Sequence, residues 1–382
     1  MKKTKERRSF ILSGVFFVCE GVRNMKRLMF LIITGVAVFS SGCNCIENSE
    51  RKITRVFLWG TLRSEADTAR YAAAGVTDIQ VYNQKSFNWA VKYGITPYCG
   101  SLSPAGLHKQ VMTPEEQKLN DYIYGADLTK DLSKAERTKI LHSRRREKNH
   151  RYGTSRVNPL DSIGVLLCFA SDKNLFLTKK KIDRILKRAV PGVKGIYLDY
   201  FGYSNSRGCY CRECLARCQA YLKQKNLPDT QENKDIFYRK QLVDYYNQVV
   251  AYIKSKRPDF KVVAHFYPEF EPDPWYAKRT MVDFTGQTVS WYFKWQKDDI
   301  ANAVKNILAN GKRFNPNGEA VPFIGLNSNP KSSLGYKAPE DVERELKIII
   351  DSGAETLMVC SGTPVIQPGY FEVFKKYCGK EK

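Results

Sequence analysis

Residues 191–203 read PGVKGIYLDYFGY. Pro191 and Gly192 stop the helical stretch TKKKIDRILKRAV, and GIYLDYF is a short β-rich run that ends on an acid, Asp199. A helix stop followed directly by a strand is one crossover of a parallel sheet, and the same alternation continues in both directions. Toward the N-terminus lie the strand ITRVFLW, a helix SEADTARYAAAG capped by Ser64 and closed by Gly75, the strand VTDIQVY, the short helix SFNWAVKYG and the strand ITPYCGS. Toward the C-terminus, the amphipathic stretch QENKDIFYRKQLVDYYNQVVAYIKSKRPD leads into FKVVAHFYPEF. The strands MVDFTGQTVSWYF, AVPFIGLNSN and ETLMVCSG follow. Helices DDIANAVKNILANG and APEDVERELKIIIDSGA separate them, the second with Pro339 in its first turn and Gly353 at its end. Eight such units without a Gly-x-Gly-x-x-Gly turn predict an α/β fold, a closed (β/α)8 TIM barrel over residues 51–382, rather than a dinucleotide-binding sheet.

A polar insertion from Leu102 to Asp161 follows the third strand and includes the basic run HSRRREKNHRYG. The βα order puts it on the C-terminal side of the strands, where barrels build their sites.

The 382 residues are 43% hydrophobic and 12% aromatic, enough for a large core, and carry a formal charge of +23. Residues 1–42 hold eight Lys/Arg and two Glu, so removing them leaves +17. That excess favours anionic surfaces without specificity. No zinc-finger, helix-turn-helix or RNA-binding signature accompanies it, so nucleic acid is not an expected partner.

The stretch MKRLMFLIITGVAVFSSGC starts at Met25 with two basic residues, continues through an apolar run from Leu28 to Phe39 and ends at Cys43. It reads as a signal peptide over residues 1–42 with Met25 as the natural start; the run is too short to span a bilayer. Ser40, Ser41 and Gly42 before Cys43 resemble a bacterial lipoprotein cleavage site. The resemblance implies lipid on Cys43, residues 43–50 as a tether, and a soluble body held at a membrane face of the cell envelope. Export permits disulfides. Eleven cysteines less Cys19 and Cys43 leave nine, however, and an odd number cannot all pair.

Four of those nine fall in GCYCRECLARC: Cys209, Cys211, Cys214 and Cys218. The C-x-C-x-x-C spacing lets thiolates converge on one tetrahedral cation, whereas adjacent disulfides in so short a stretch would be strained. Zinc is the favoured reading.

Asp199 ends a barrel strand, the catalytic position of this fold. Hydrolysis by a carboxyl group at such a position typically needs a second carboxyl facing it across the scissile bond. The fifth strand supplies HFYPEFEPDPW, where Glu269 is the predicted acid/base, Glu271 the next choice and Asp273 a further one. Tyr267 and Phe270 would raise the pKa of Glu269 by desolvation. Asp283 falls at the start of the sixth strand, at the wrong end of the barrel. Trp59, Tyr200, Trp291 and Trp295 are candidate stacking platforms for a substrate. Tyr267, His265, Gln287 and Asn327 are further candidate substrate contacts, although a satisfied core histidine is the competing reading of His265.

The segment CYCRECLARCQAYLKQ resembles the CYCxxC segment of glycoside hydrolase family 42 β-galactosidases and related uncharacterised glycosidase-like barrels. The resemblance implies a closed structural metal site after the fourth strand, with a fourth cysteine from a loop upstream. LLCFASDKNLF matches that loop in kind, which makes Cys168 the fourth ligand, Cys218 its rival and Cys99 a third choice. The chain departs from that family where it matters for catalysis: LDYFG and GLNSN lack the Glu residues expected on strands four and seven. The Asp-Tyr-Phe ending is instead similar to α-galactosidase-type barrels, where an Asp on strand four is the nucleophile. These readings imply a lipid-anchored glycoside hydrolase-like protein acting on carbohydrate, with Asp199 as nucleophile or stabiliser. The alternative is a non-catalytic glycan-binding barrel lipoprotein. A third is a barrel acting on an anionic polymer through Arg144 to Arg151.

Overall fold

The computed structural model describes residues 52–115, 118, 133, 136, 140, 167–199, 201–203, 208–266, 279–291, 297–332 and 335–379. The sequence-based assignments on Cys43, Tyr200, Tyr267, Glu269, Glu271, Asp273, Trp295 and Arg144 to Arg151 lie outside these residues.

Eight parallel strands close into one barrel in chain order. They are β1 (Arg55–Trp59), β2 (Asp78–Val81), β3 (Thr96–Leu102), β4 (Gly195–Leu198), β5 (Lys261–Phe266), β6 (Phe284–Ser290), β7 (Glu319–Gly325) and β8 (Thr356–Cys360). The ring shuts where β1 pairs along its whole length with β8, from Arg55 beside Thr356 to Trp59 beside Cys360. All eight predicted strands are present, because each is an apolar run bounded by a helix stop and a polar turn.

Helices α1 (Glu65–Ala73), α2 (Gln84–Lys92), α3 (Asp172–Arg188), α4 (Arg212–Gln224), α5 (Gln231–Lys256), α6 (Lys297–Phe314), α7 (Pro339–Asp351) and α8 (Tyr370–Cys378) surround the strands. Ser64, Asn83, Ser171 and Thr230 cap four of them, each accepting from a backbone N–H of the first turn. The Ser171 cap starts α3 six residues before the predicted TKKKIDRILKRAV stretch.

Strand alternation divides the core in two. Phe57, Trp59, Tyr98, Tyr197, Val263, Phe284, Val321, Phe323 and Met358 fill the lumen. Their neighbours, such as Val56, Leu58, Ile79, Ile196, Leu198 and Val262, pack outward with the helices. The N-terminal end of the lumen is plugged by Arg55, which donates to Asp78 through Nε at 2.9 Å and a terminal nitrogen at 2.7 Å. Asp78 is fully buried, so the paired geometry is what makes this charge tolerable there. Asp283 sits at the same end, accepting from Lys261 and from the Val262 amide and paired with Lys254, a stabilising position as its place before β6 predicts.

Candidate functional site

Two features occupy the C-terminal side of the strands: a thiol cluster after β4 and an aromatic mouth over the lumen.

The Sγ atoms of Cys168, Cys209, Cys211 and Cys214 all lie within 4.8 Å of one another, so the four cysteines could hold a metal ion. Bonds of about 2.3 Å from a tetrahedral ion set the sulfurs about 3.8 Å apart, which these positions fit. None of the four is in a disulfide. Cys211 is the N-cap of α4 and Cys214 lies in its first turn, so the positive end of the helix faces the sulfurs and favours thiolate. The crowded thiols divide their protons unequally. Hydrogen bonds from Cys168 and Cys214 hold Cys209 far below the usual thiol range, while the bond with Cys209 pushes Cys168 up and the bonds with Cys168 and then Cys209 push Cys214 up.

Cys218, the rival ligand, is one turn further along α4, buried and outside the cluster. Cys99 is likewise elsewhere: its thiol donates to the Gly195 carbonyl at 3.1 Å, and burial pushes its pKa up to about 12.

The cluster is braced by residues that pattern reading alone did not single out. Asn174, fully buried on α3, accepts from the amides of Leu107 and His108 and donates to the carbonyls of His108 and Cys168. Gly106 must lack a side chain, because a Cβ there would collide with the Asn174 amide. Gln110 donates to the Gly208 carbonyl at 2.9 Å, and the Val111 amide reaches the Cys209 sulfur at 3.3 Å. Thr178 bonds both the amide and the carbonyl of Ala105 and the hydroxyl of Tyr245 on α5. The sequence signal available for Asn174 was its position three residues after the helix cap. Nothing in the pattern marked it as the buried hub.

The loop leaving β4 ties the cluster to the mouth. Phe201 and Tyr203 are buried; the Tyr246 hydroxyl donates to the Phe201 carbonyl, and the Tyr203 hydroxyl donates to Gln241 of α5 at 2.7 Å. Gln241 also accepts weakly from the Cys214 thiol at 3.9 Å. Asp199 opens this loop. Its amide donates to the Leu102 carbonyl at 3.0 Å, which holds it in register with the tip of β3. Tyr197 fills the lumen and Leu198 packs outward, so the pleat turns the half-buried Asp199 toward the mouth.

Trp59, His265 and Trp291, chosen separately from the sequence, meet around Phe323. His265 stacks on Phe323 at 3.6 Å and on Trp291 at 5.7 Å, while Trp59 lies 5.3 Å from Phe323 and 4.4 Å from Tyr197. Gly325 leaves room for the Trp291 ring, which a Cβ would strike. The Thr288 hydroxyl donates to the Phe266 carbonyl and so accepts from His265 Nε2 at 2.9 Å, which fixes the tautomer. Burial drives the His265 pKa down to about 3, so the ring is neutral at ordinary pH.

Trp59 Nε1, Gln80 Nε2 and the Tyr197 hydroxyl are buried with no hydrogen-bond partner among the described residues. All three belong to strands whose inward positions line the lumen, and they suit a hydroxyl-rich ligand or buried water.

Two chosen residues are placed differently. Gln287 follows the inward Gly286, whose Cβ would meet Met358 of the lumen, so the pleat turns Gln287 to the helix side, where it is fully buried. Asn327 lies two residues beyond β7, and its amide is engaged by its own loop, donating to the Gly335 carbonyl and accepting from the Asn329 amide.

No protein-family model matches the chain, and no curated protein matches it. Among solved structures, an α-L-fucosidase isoenzyme 2 from Paenibacillus thiaminolyticus aligns at TM-score 0.46 and 14% identity, over 86% of this chain and 49% of that one. The glycoside hydrolase domain of PgaB (BpsB) from Bordetella bronchiseptica aligns at TM-score 0.49 and 10% identity, over 87% and 99%. A cold-adapted β-galactosidase from Rahnella sp. R3 gives TM-score 0.43 and 12% identity, over 81% and 50%. The chain thus spans about half the length of the fucosidase and of the β-galactosidase. Likeness this distant transfers no substrate and no residue role.

Proposed function

We propose that this chain is a glycoside hydrolase-like barrel in which Asp199 acts on a sugar held in the aromatic mouth. What supports the reading is the position of Asp199 directly after β4, its amide bonded to the Leu102 carbonyl, on the side of the barrel where Trp59, Trp291 and His265 gather. Flat rings suit the C–H faces of sugars, and the unpartnered Trp59, Gln80 and Tyr197 atoms suit their hydroxyls. Asp199 serves as nucleophile or stabiliser, and Glu269, on the chain leaving β5, as general acid/base. The separation of the two carboxyls decides the outcome: about 5 Å gives retention through double displacement, and about 6.5–9.5 Å gives inversion. Zinc held by Cys168, Cys209, Cys211 and Cys214 serves as a structural clamp with no coordination position left for substrate. Lipid on Cys43 anchors the body to the bacterial cell envelope, which mass analysis of the mature N-terminus tests directly.

The test is hydrolysis of a glycan panel by the full chain and by Asp199→Asn. Turnover should fall at least about a hundredfold in the variant with the thermal midpoint unchanged; undiminished turnover would remove the proposal.

A second reading, a glycan-binding barrel without turnover, is favoured by one observation. β7 ends at Gly325, and Leu326 and Asn327 follow it, the Asn327 amide engaged by its own loop, so no carboxylate stands at that tip. Binding without product on the same panel selects it.

A further inference from the structure

The outer flank of α3 carries a feature that neither the mouth nor the thiol cluster uses. Lys181, Arg184 and Arg188 are spaced three, four and seven residues apart, so all three stand on one face of the helix. They line a groove whose other wall is formed by Tyr82, Gly100 and Ser101 at the tips of β2 and β3. Asp183, the nearest acid on the helix, faces away and accepts from the Tyr252 hydroxyl at 2.9 Å. Arg184 and Arg188 form no ion pair among the described residues, while Lys181 donates to the Ser103 carbonyl at 2.9 Å. Burial, and then the neighbouring Arg184 charge, lower the Lys181 pKa. Three cations along one helix face, with no acid among the described lining residues, repel one another, a cost that an anion in the groove would lower.

Tyr82 supplies the second half of the argument. The residue is 54% exposed, yet its ring is held in place. The hydroxyl donates to Gln80 Oε1 at 2.9 Å, and the ring lies against Gly100, where any Cβ would collide with it. The position therefore requires glycine to keep the platform flat. Tyr82 is also near the mouth: burial chiefly, and the Asp199 carboxylate in addition, push its phenol up. Asp199 itself bonds the carbonyl of Leu102, the residue after Ser101. Groove and mouth are neighbours across the tip of β3.

A fixed, exposed ring beside a row of cations that form no ion pair among the described residues is suited to a ring-shaped ligand that carries negative charge. Guanidinium groups bind carboxylate and sulfate oxygens through paired hydrogen bonds, which an ammonium cannot match. The distance from Lys181 to Arg188 along the helix is about 10 Å, enough for a short length of saccharide rather than a lone ion. We propose that this groove is a subsite for an anionic sugar unit, with Tyr82 as the stacking platform and Lys181, Arg184 and Arg188 as the anion ligands. The proposal rests on the glycan reading and narrows it to acidic saccharides.

Calorimetric titration of the full chain tests it with four probes: tetragalacturonate, its full methyl ester, a sulfated galactan tetrasaccharide and the desulfated form. At least one charged probe should bind about tenfold or more tighter than its neutral counterpart, and the preference should weaken with added salt. Which charged probe binds identifies the anion as carboxylate or sulfate. The double variant Arg184→Gln/Arg188→Gln should bring charged and neutral probes to equal affinity, and Tyr82→Ala should weaken both alike, with thermal midpoints unchanged. No charge preference in the wild type, or a preference that survives the double variant, overturns the subsite. Asp199→Asn should retain the preference. Preference without product in the wild type supports the subsite while removing hydrolysis; product from a neutral sugar without preference does the reverse.

Discussion

The sulfurs of Cys168 and Cys214 lie 3.5 Å apart although 46 residues separate them in the chain. A disulfide would bring them to about 2 Å, whereas two ligands of one tetrahedral ion sit about 3.8 Å apart. The sulfurs of Cys209 and Cys211 lie within 4.8 Å of both, which makes a set of four that could hold one ion. One end of this contact enters from the segment before α3 and the other from the first turn of α4, so whatever joins them fixes the β4 loop against both helices.

The full chain purified under reducing conditions should therefore carry about one zinc per molecule by elemental analysis. Cys168→Ser and Cys214→Ser should each lose the metal and lower the thermal midpoint. Cys218→Ser should keep it, because that thiol is buried outside the cluster. Metal-free protein with disulfides found by mass mapping would contradict this assignment.

Asn174→Ala should destabilise the fold by about 2–4 kcal/mol in denaturant unfolding. The substitution removes both ends of an amide that satisfies the backbone of Leu107, His108 and Cys168. Those groups become buried without partners, and the bracket around the thiols loosens. Zinc should then be lost to a chelator faster than from the wild type. A change within experimental error in both measurements would mean that the hub is dispensable.

His265 makes stability depend on pH in a predictable direction. Its folded pKa is about 3, against an ordinary value of 6.5, because burial penalises the charged ring. Below 6.5 the unfolded chain takes up a proton that the folded chain refuses, so stability is complete above that pH and falls as pH drops toward 3. The loss is up to about 1.4 kcal/mol for each pH unit in that window. His265→Phe keeps the stack on Phe323 and Trp291 and removes the titration. Urea unfolding at a series of pH values should show a shallower acid decline for the variant; parallel curves would place the histidine's proton elsewhere.

Much of the architecture was readable in the chain because strand and helix periodicities are local. GIYLDYF, ITRVFLW and ETLMVCSG each announce a strand by apolar run and boundary, and their order forces a closed parallel ring. Asp283 was placed at the N-terminal end of β6 by the same reasoning, and its pairs with Lys254 and Lys261 are found there. The spacing of Cys209, Cys211 and Cys214 pointed to convergence, since three of the four sulfurs come from one short segment.

Other features depended on contacts that no local pattern encodes. Gln287 and Asn327 were attractive as strand-end amides. The pleat sends one behind the sheet, and the other is taken up by the turn it begins. Asn174 and Gly106 form one bracket across 68 positions of chain, and Tyr82 owes its fixed pose to a glycine on the next strand.

By itself the sequence determined the barrel, the order of its strands, and the placing of Asp199 at a strand tip, because each follows from residues within a few positions of one another. Only the tertiary structure decided that Cys168 rather than Cys218 completes the cluster, that Trp59, His265 and Trp291 share one mouth, and that a basic helix face meets an exposed tyrosine. The reason is physical. Which side chains meet across a closed ring is set by strand register and by the volume that glycines such as Gly100 and Gly325 leave open, and neither is written in any single segment of the chain.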